Sequence, residues 1–278
     1  MSNTTSPRLV ALDLDGTLLN HQGQVTPRTR QAIAEAVARG IVVLPATGRP
    51  LSNLPPVVAQ LTGVRYAITS NGALIYDAHT KKIIFQTGVD KNCIREAFDE
   101  AYKFGLHPQT YSDHGVLCER EDPEIQYYAK STMVNYEVLD DVTKVITRDP
   151  IKMLFIDLHN RANLEKFREH MESWSKKHHI DMFFSCDIYL EFLPEGINKG
   201  SGIRWLCNYL NVPLDNTLAA GDAENDITML QAVKTPCVMK NARPDVRLRR
   251  LHYRARQQSF RNCGNYSEIH ACLSCFTE

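Results

Sequence analysis

The run VALDLDGTLLN, residues 10–20, constrains this chain more than any other stretch. Leu9 to Leu12 are apolar and lead straight into Asp13, with a second carboxylate at Asp15 and then Gly16 and Thr17. A short apolar run bounded by turn residues reads as a buried strand. Such a strand has no structural use for two carboxylates at its end.

The chain then alternates. TPRTRQAIAEAVARG (residues 26–40) offers Thr26 as a cap, Pro27 at the first helical position and Gly40 at the end. IVVLPATGR is a second buried strand that runs into Thr47, Gly48 and Arg49. Strand, helix, strand in this order predicts a parallel sheet with helices on its faces. At YAITSNGALIYD the pattern changes, and Asn71-Gly72 between two β-prone runs predicts a hairpin. The middle third reads as α+β. A helix follows Asp90, with Ile94, Ala97, Phe98 and Ala101 at helical spacing, and a second covers NLEKFREHMESWSKK. IKMLFIDL and FFSCDIYLEFL are strand candidates.

From Ile197 the first pattern returns, with a helix opening on Asn198-Lys199-Gly200 and a strand ending at Gly221-Asp222. With 278 residues, about two domains are expected. The reading is an α/β fold: a Rossmann-like parallel-sheet core of residues 1–83 and 190–278, interrupted by an inserted α+β domain at 84–189.

Four polar groups now stand at element ends: Asp13 with Asp15, Thr47, Lys199, and Asp222 with Asp226. Singly, each is more often a turn former, a cap or a solvated side chain. In open parallel sheets, however, ligands bind outside the carboxyl ends of the strands, so these groups can converge on one crevice. Several acids with one lysine suggest a divalent cation and a phosphate. Hard oxygen ligands suit Mg²⁺.

DLDGTL, ATGR, NKG and GDAENDITML resemble, in order, the four motifs of the haloacid dehalogenase-like hydrolases. TSNGALIYD and an insertion between the second and third motifs are similar to the Cof-type phosphatases, whose inserted cap is of class IIB. The resemblance covers about residues 8 to 246. It implies a phosphatase in which Asp13 attacks phosphorus to give an aspartyl-phosphate and Asp15 serves as acid and then base. It further implies that Asp13, the backbone carbonyl of Asp15, and Asp222 hold Mg²⁺. Thr47 and Lys199 would grip the phosphoryl oxygens, with Gly48 and Asn225 nearby. Gly16 would allow the sharp turn after the nucleophile, and Asp226 would orient Lys199 or a metal-bound water. Asp at position 15 favours phosphatase or phosphomutase over the family's ATPases and dehalogenases. The cap is expected to close over the core and to set specificity.

Lys plus Arg equals Asp plus Glu at 32 each, so no global electrostatic footprint for nucleic acid or an anionic membrane is present. No apolar run approaches a membrane span and the start lacks signal-peptide features, so a cytoplasmic protein is expected. The expected partner is a small phosphorylated metabolite, such as a sugar phosphate or a phosphorylated cofactor; nothing in the sequence bears on oligomeric state. The rival reading is a phosphate-ligand binding or regulatory protein that no longer turns over. Cys272-x-x-Cys275 lacks a partner pair, His178-His179 reads as solvated, and no P-loop occurs.

The tail departs from the family. After VMKNARPDV it becomes RLRRLHYRARQQSFRNCGNYSEIHACLSCFTE, rich in arginine from Arg247 on. Read one base out of frame, codons for QQSFRNCGNYSE can spell NNHSGIAEIIQ, which is similar to the family's usual ending. The expectation is a frameshift near Arg247 that removes an edge strand and a covering helix. The alternative is a divergent tail with a basic binding surface.

Overall fold

The computed structural model describes residues 8–54, 56–59, 61–112, 115–244, 246 and 261–262. Among these residues no helix is long and apolar enough to cross a membrane. The chain divides into two compact units, Met1–Phe85 with Asn198–Glu278, and Gln86–Ile197.

The first segment contains β1 (Leu9–Leu12), α1 (Pro27–Ala38), β2 (Val42–Pro45), α2 (Pro56–Ala59), β3 (Tyr66–Thr69), β4 (Leu74–Asp77) and β5 (Lys82–Gln86). All four residues of β1 are buried because the strand lies inside a sheet covered on both faces. The Thr26 side chain accepts from Thr29 N–H to open α1, with Pro27 at its first position, as its sequence predicts. β3 and β4 pair as the expected hairpin, Thr69 opposite Leu74. Their connection, Ser70-Asn71-Gly72, has positive φ at all three residues. For a residue with a Cβ this costs of order 1–3 kcal/mol.

The inserted unit holds α3 (Ile94–Lys103), β6 (His107–Ser112), β7 (Gly115–Cys118), α4 (Pro123–Thr132), β8 (Tyr136–Val138), β9 (Met153–Ile156), α5 (Arg161–His170), α6 (Glu172–Lys177), β10 (Ile180–Cys186) and β11 (Tyr189–Pro194). Its sheet has the order β10-β11-β9-β6-β7-β8 and is antiparallel except for β7 with β8. Phe98, Phe155, Phe167 and Phe192 fill the main core of the unit.

Three expectations change here. FFSCDIYLEFL is not one strand but the end of β10 and most of β11, an antiparallel hairpin that turns at residues 187–188. The boundary expected at residue 190 falls inside β11. Leu190 and Phe192 pack into the core of the inserted unit, and the chain returns to the first unit only at Asn198. His178 is mostly buried rather than solvated: its ring lies tilted against Trp174, centroids 4.6 Å apart, while His179 is exposed.

The last segment contains α7 (Lys199–Leu210), β12 (Thr217–Gly221), α8 (Ile227–Ala232), β13 (Thr235–Val238) and β14 (Arg261–Asn262). The core sheet runs β14-β13-β12-β1-β2, every pair parallel. Side chains alternate across it. Val10, Leu12, Leu218 and Ala220 join Ile33 of α1 on one face, while Leu9, Ala11 and Ala219 join Ile203, Leu206 and Leu230 of α7 and α8 on the other. Each fully buried leucine contributes roughly 1.5–3 kcal/mol. The expected frameshift and Cys272-x-x-Cys275 lie outside the described residues, apart from Arg261–Asn262. These two pair beside β13, so the edge expected to be bare carries a short strand.

Candidate active site

β2, β1 and β12 are adjacent and parallel, so their carboxyl ends open on one edge of the sheet. Asp13 directly follows β1 and its N–H donates to Ala220 O at 3.0 Å. Thr47 lies just past β2, and Asp222 directly follows β12. Lys199 is the first residue of α7. Asn198 caps that helix by accepting from Ser201 N–H at 2.9 Å, and Ser201 Oγ accepts in return from Asn198 N–H at 3.0 Å. The capping box therefore sets where Lys199 starts and which way its helix points.

Lys199 Nζ donates to Asp13 Oδ1 and to Asp226 Oδ1, both at 2.6 Å. The three side chains are 1%, 8% and 0% exposed, so this is a buried charged triad rather than a surface pair. Asp226 is fully engaged, because its Oδ2 also accepts from Asp222 and Ala223 N–H at 2.9 and 3.0 Å. Asp222 accepts from Thr17 Oγ1 at 3.0 Å and from Asn241 Nδ2 at 3.3 Å. Carboxylate oxygens of Asp13, Asp222 and Asp226 all lie within 4.8 Å of one another.

Three close carboxylates with one buried ammonium leave a charge imbalance, and the proton affinities show it. Burial, with Asp226 and Asp222 nearby, pushes the Asp13 carboxyl well up against the opposing pull of Lys199. Burial and Asp226 raise Asp222 to about 7. Burial alone would lower the Lys199 ammonium, but Asp13 and Asp226 outweigh it and hold it raised.

The sign of the effect on stability follows. Between about pH 4 and 7 the folded chain keeps a proton on Asp222 that the unfolded chain has released, so this site loses stability as pH rises through that window. The thermal midpoint of metal-free protein should therefore fall from pH 5 to pH 8 more steeply than that of Asp222→Asn. Parallel melting profiles for the two proteins would refute a raised Asp222.

The other expected residues are placed as follows. Thr47 is 1% exposed, and its Oγ1 accepts from Arg49 N–H at 3.1 Å, which leaves its own proton to donate. Gly48 lies beside Asn71: a Cβ there would come 3.0 Å from the Asn71 amide. Asn225 Nδ2 donates to Asn71 Oδ1 at 2.9 Å. Gly16, at φ +88°, is the residue that turns the chain under Asp222; a Cβ would lie 2.3 Å from Asp222 Oδ2. The Asp15 carboxylate stands apart from the buried cluster. Its side chain is 59% exposed and both oxygens are held by Arg49, at 2.8 and 2.7 Å.

Four residues of this constellation escaped the sequence reading: Thr17, Arg49, Asn71 and Asn241. Thr17 sits two residues past Asp15, and Arg49 two past Thr47, so both were within reach of the motif argument. Asn241 follows β13, another parallel strand of the same sheet, and its Nδ2 also donates to Gly16 O at 2.9 Å. Asn71 read only as a turn residue.

Comparison with known proteins bears on the family and the fold. A Streptococcus pyogenes protein, provisionally named a phosphatase, is 32% identical over 248 residues, 87% of this chain and 90% of its own. An HMP-PP phosphatase of Serratia proteamaculans is 31% identical over 242 residues, 86% of each chain. Among solved structures, a haloacid dehalogenase-like hydrolase from Bacteroides thetaiotaomicron superposes with a TM-score of 0.82 at 21% identity, covering 97% of this chain and 99% of that one. A subclass IIB sugar phosphatase of the same superfamily gives 0.79 at 18% identity, over 97% and 99%. The family description that matches residues 10–252 is haloacid dehalogenase-like hydrolase, and the match spans the acids at the strand ends and Lys199 at the start of α7. With its ordered motifs carried on one edge of a parallel sheet, this chain belongs to the haloacid dehalogenase-like hydrolases.

Proposed function

We propose that this phosphatase is Mg²⁺-dependent and hydrolyses small phosphorylated metabolites through an aspartyl-phosphate on Asp13. The observation that carries the reading is the buried triad, with Lys199 shared at 2.6 Å by Asp13 and Asp226. It supplies a nucleophile and, beside it, a fixed positive charge for phosphoryl oxygens.

The donor set also fits a divalent cation. Asp13 and Asp222 offer hard oxygens, and the carboxylates outnumber the one ammonium beside them, a deficit that a bound cation removes. Asp226, with both oxygens committed, is better read as the residue that orients Lys199. Asp13, Asp222 and the Asp15 carbonyl would hold Mg²⁺. Bound there, the ion supplies Lewis-acid stabilisation of phosphoryl charge.

The chain's own residues do the rest. Asp13 Oδ attacks phosphorus in line, and the departing oxygen takes the bonding electron pair. Lys199 and Thr47 hold the equatorial oxygens, where charge collects in the transition state. Asp15 protonates the leaving alkoxide and later takes a proton from the water that releases phosphate. For this its carboxylate must leave Arg49. The pair is bidentate and Arg49 is only 22% exposed, so release costs more than the roughly 0–1 kcal/mol of a fully exposed pair. The 59% exposure of Asp15 keeps it on the order of 1 kcal/mol. General acid catalysis contributes ~10²–10⁴-fold. Acceleration of monoester hydrolysis reaches ~10²¹-fold, so fixed positive charge must supply much more than the proton transfer. The inserted unit, read as the cap, would exclude water and select the substrate.

The test is p-nitrophenyl phosphate with Mg²⁺ and with EDTA. Release of p-nitrophenol with Mg²⁺ and its loss in EDTA are expected. The thermal midpoint at pH 8 should rise with Mg²⁺, by the equivalent of about 2.7 kcal/mol at a hundredfold excess over Kd. A protein that neither turns over nor responds to Mg²⁺ in melting would remove the proposal. A panel of phosphorylated metabolites then names the substrate.

A further inference from the structure

Between β3 and β4 the chain runs through three consecutive residues in the left-handed region. Ser70, Asn71 and Gly72 lie at φ 48°, 54° and 100°, and Ser70 and Asn71 are each 1% exposed. Such backbone persists where the surroundings over-determine it. Here the surroundings are the candidate site. Ser70 N–H donates to Arg49 O at 2.9 Å and Asn71 N–H to Thr47 O at 3.0 Å, so the turn grips the segment that carries Thr47. A Cβ on Gly72 would sit 2.2 Å from the carbonyl oxygen of Asn198, the residue that caps the helix of Lys199. Asn71 Oδ1 accepts from Asn225 Nδ2 at 2.9 Å. One buried turn thus touches three segments, each of which carries a phosphate-binding candidate.

We propose that Asn71 is a positioning residue that fixes Asn225 and the Thr47–Gly48 segment for phosphate binding. The inference rests on the phosphatase reading above. Asn is among the few residues with a Cβ that visit the left-handed region readily, and its amide provides an acceptor and donors at a point where Gly provides neither. The turn supplies the conformation and the amide supplies the contact. Asn71 therefore acts through Asn225 rather than on the substrate.

The experiment is a mutant cycle read by calorimetric binding of inorganic phosphate to the full chain in Mg²⁺, with turnover of p-nitrophenyl phosphate measured beside it. Asn225→Ala should weaken phosphate binding about tenfold in the wild-type background. It should do the same in Asn71→Asp, whose carboxylate still accepts the Asn225 bond. In Asn71→Gly, where that bond is already gone, Asn225→Ala should cost less than about threefold. Gly adopts positive φ without steric penalty, so Asn71→Gly should melt close to wild type. An equal cost of Asn225→Ala in wild type and Asn71→Gly overturns the proposal, as does loss of that cost in Asn71→Asp. If one variant fails to fold, the other arm decides alone. A wild type that binds phosphate without turnover ends the phosphatase reading but leaves the cycle decisive. A wild type that does not bind phosphate overturns the inference as well.

Discussion

Asp13→Asn is expected to lose turnover by at least ~10⁴-fold while keeping its fold. The swap is nearly isosteric, and the amide oxygen can still accept the 2.6 Å bond from Lys199. What disappears is the nucleophile, for an amide oxygen cannot form the covalent intermediate. What also disappears is one of three crowded carboxylates, whose burial first and mutual repulsion second raise the proton affinities of Asp13 and Asp222. The variant should therefore melt at or above the wild-type temperature in metal-free buffer at pH 8, although it is inactive. Steady-state assay with circular dichroism melting checks both parts. Activity above about one per cent in the folded variant would contradict a nucleophilic role for Asp13.

Lys199→Met carries the largest expected effect on stability. The ammonium is 1% exposed and is the cation on which both Asp13 and Asp226 converge. Breaking a buried pair by removing one partner costs about 3–5 kcal/mol, because the remaining charge has no solvent to fall back on. Two carboxylates are left here, so the upper end is expected. In a chain of this size that is a fall in thermal midpoint of roughly 6–20 °C. Part of the loss should return as pH falls, because burial already holds the Asp13 carboxyl raised and its protonation relieves the uncompensated charge. Turnover should collapse too, since the phosphoryl group loses its fixed cation. A midpoint within about 1 °C of wild type would mean that the triad is dispensable to the fold.

Much of this site was legible because its groups follow local rules. An apolar run ending in a carboxylate marks Asp13 and Asp222, and Lys199 stands where a capping residue starts a helix. The parallel sheet then brings those ends to one edge. Contacts between side chains far apart in sequence left no such trace. Nothing near Arg49 tells that its guanidinium holds Asp15, and nothing near Asn71 tells that its amide meets Asn225. The boundary at residue 190 failed for a related reason. The alternation of FFSCDIYLEFL runs through its two-residue turn, and apolar residues look alike whichever core they enter.

Asp13 and Lys199 touch across 186 residues of chain, and that separation bears on how the protein is made. β1 pairs with β2 early in synthesis, but its other neighbour, β12, follows about 200 residues later. At ribosomal rates of about 5–20 residues per second, one edge of a wholly apolar strand waits roughly 10–40 s for its partner. During that interval the continuous inserted unit emerges in full, ahead of the unit that surrounds it. An open apolar edge is a template for pairing with the wrong chain. The nascent polypeptide is thus most vulnerable to misassembly until β12, about four-fifths of the way along the chain, has been made.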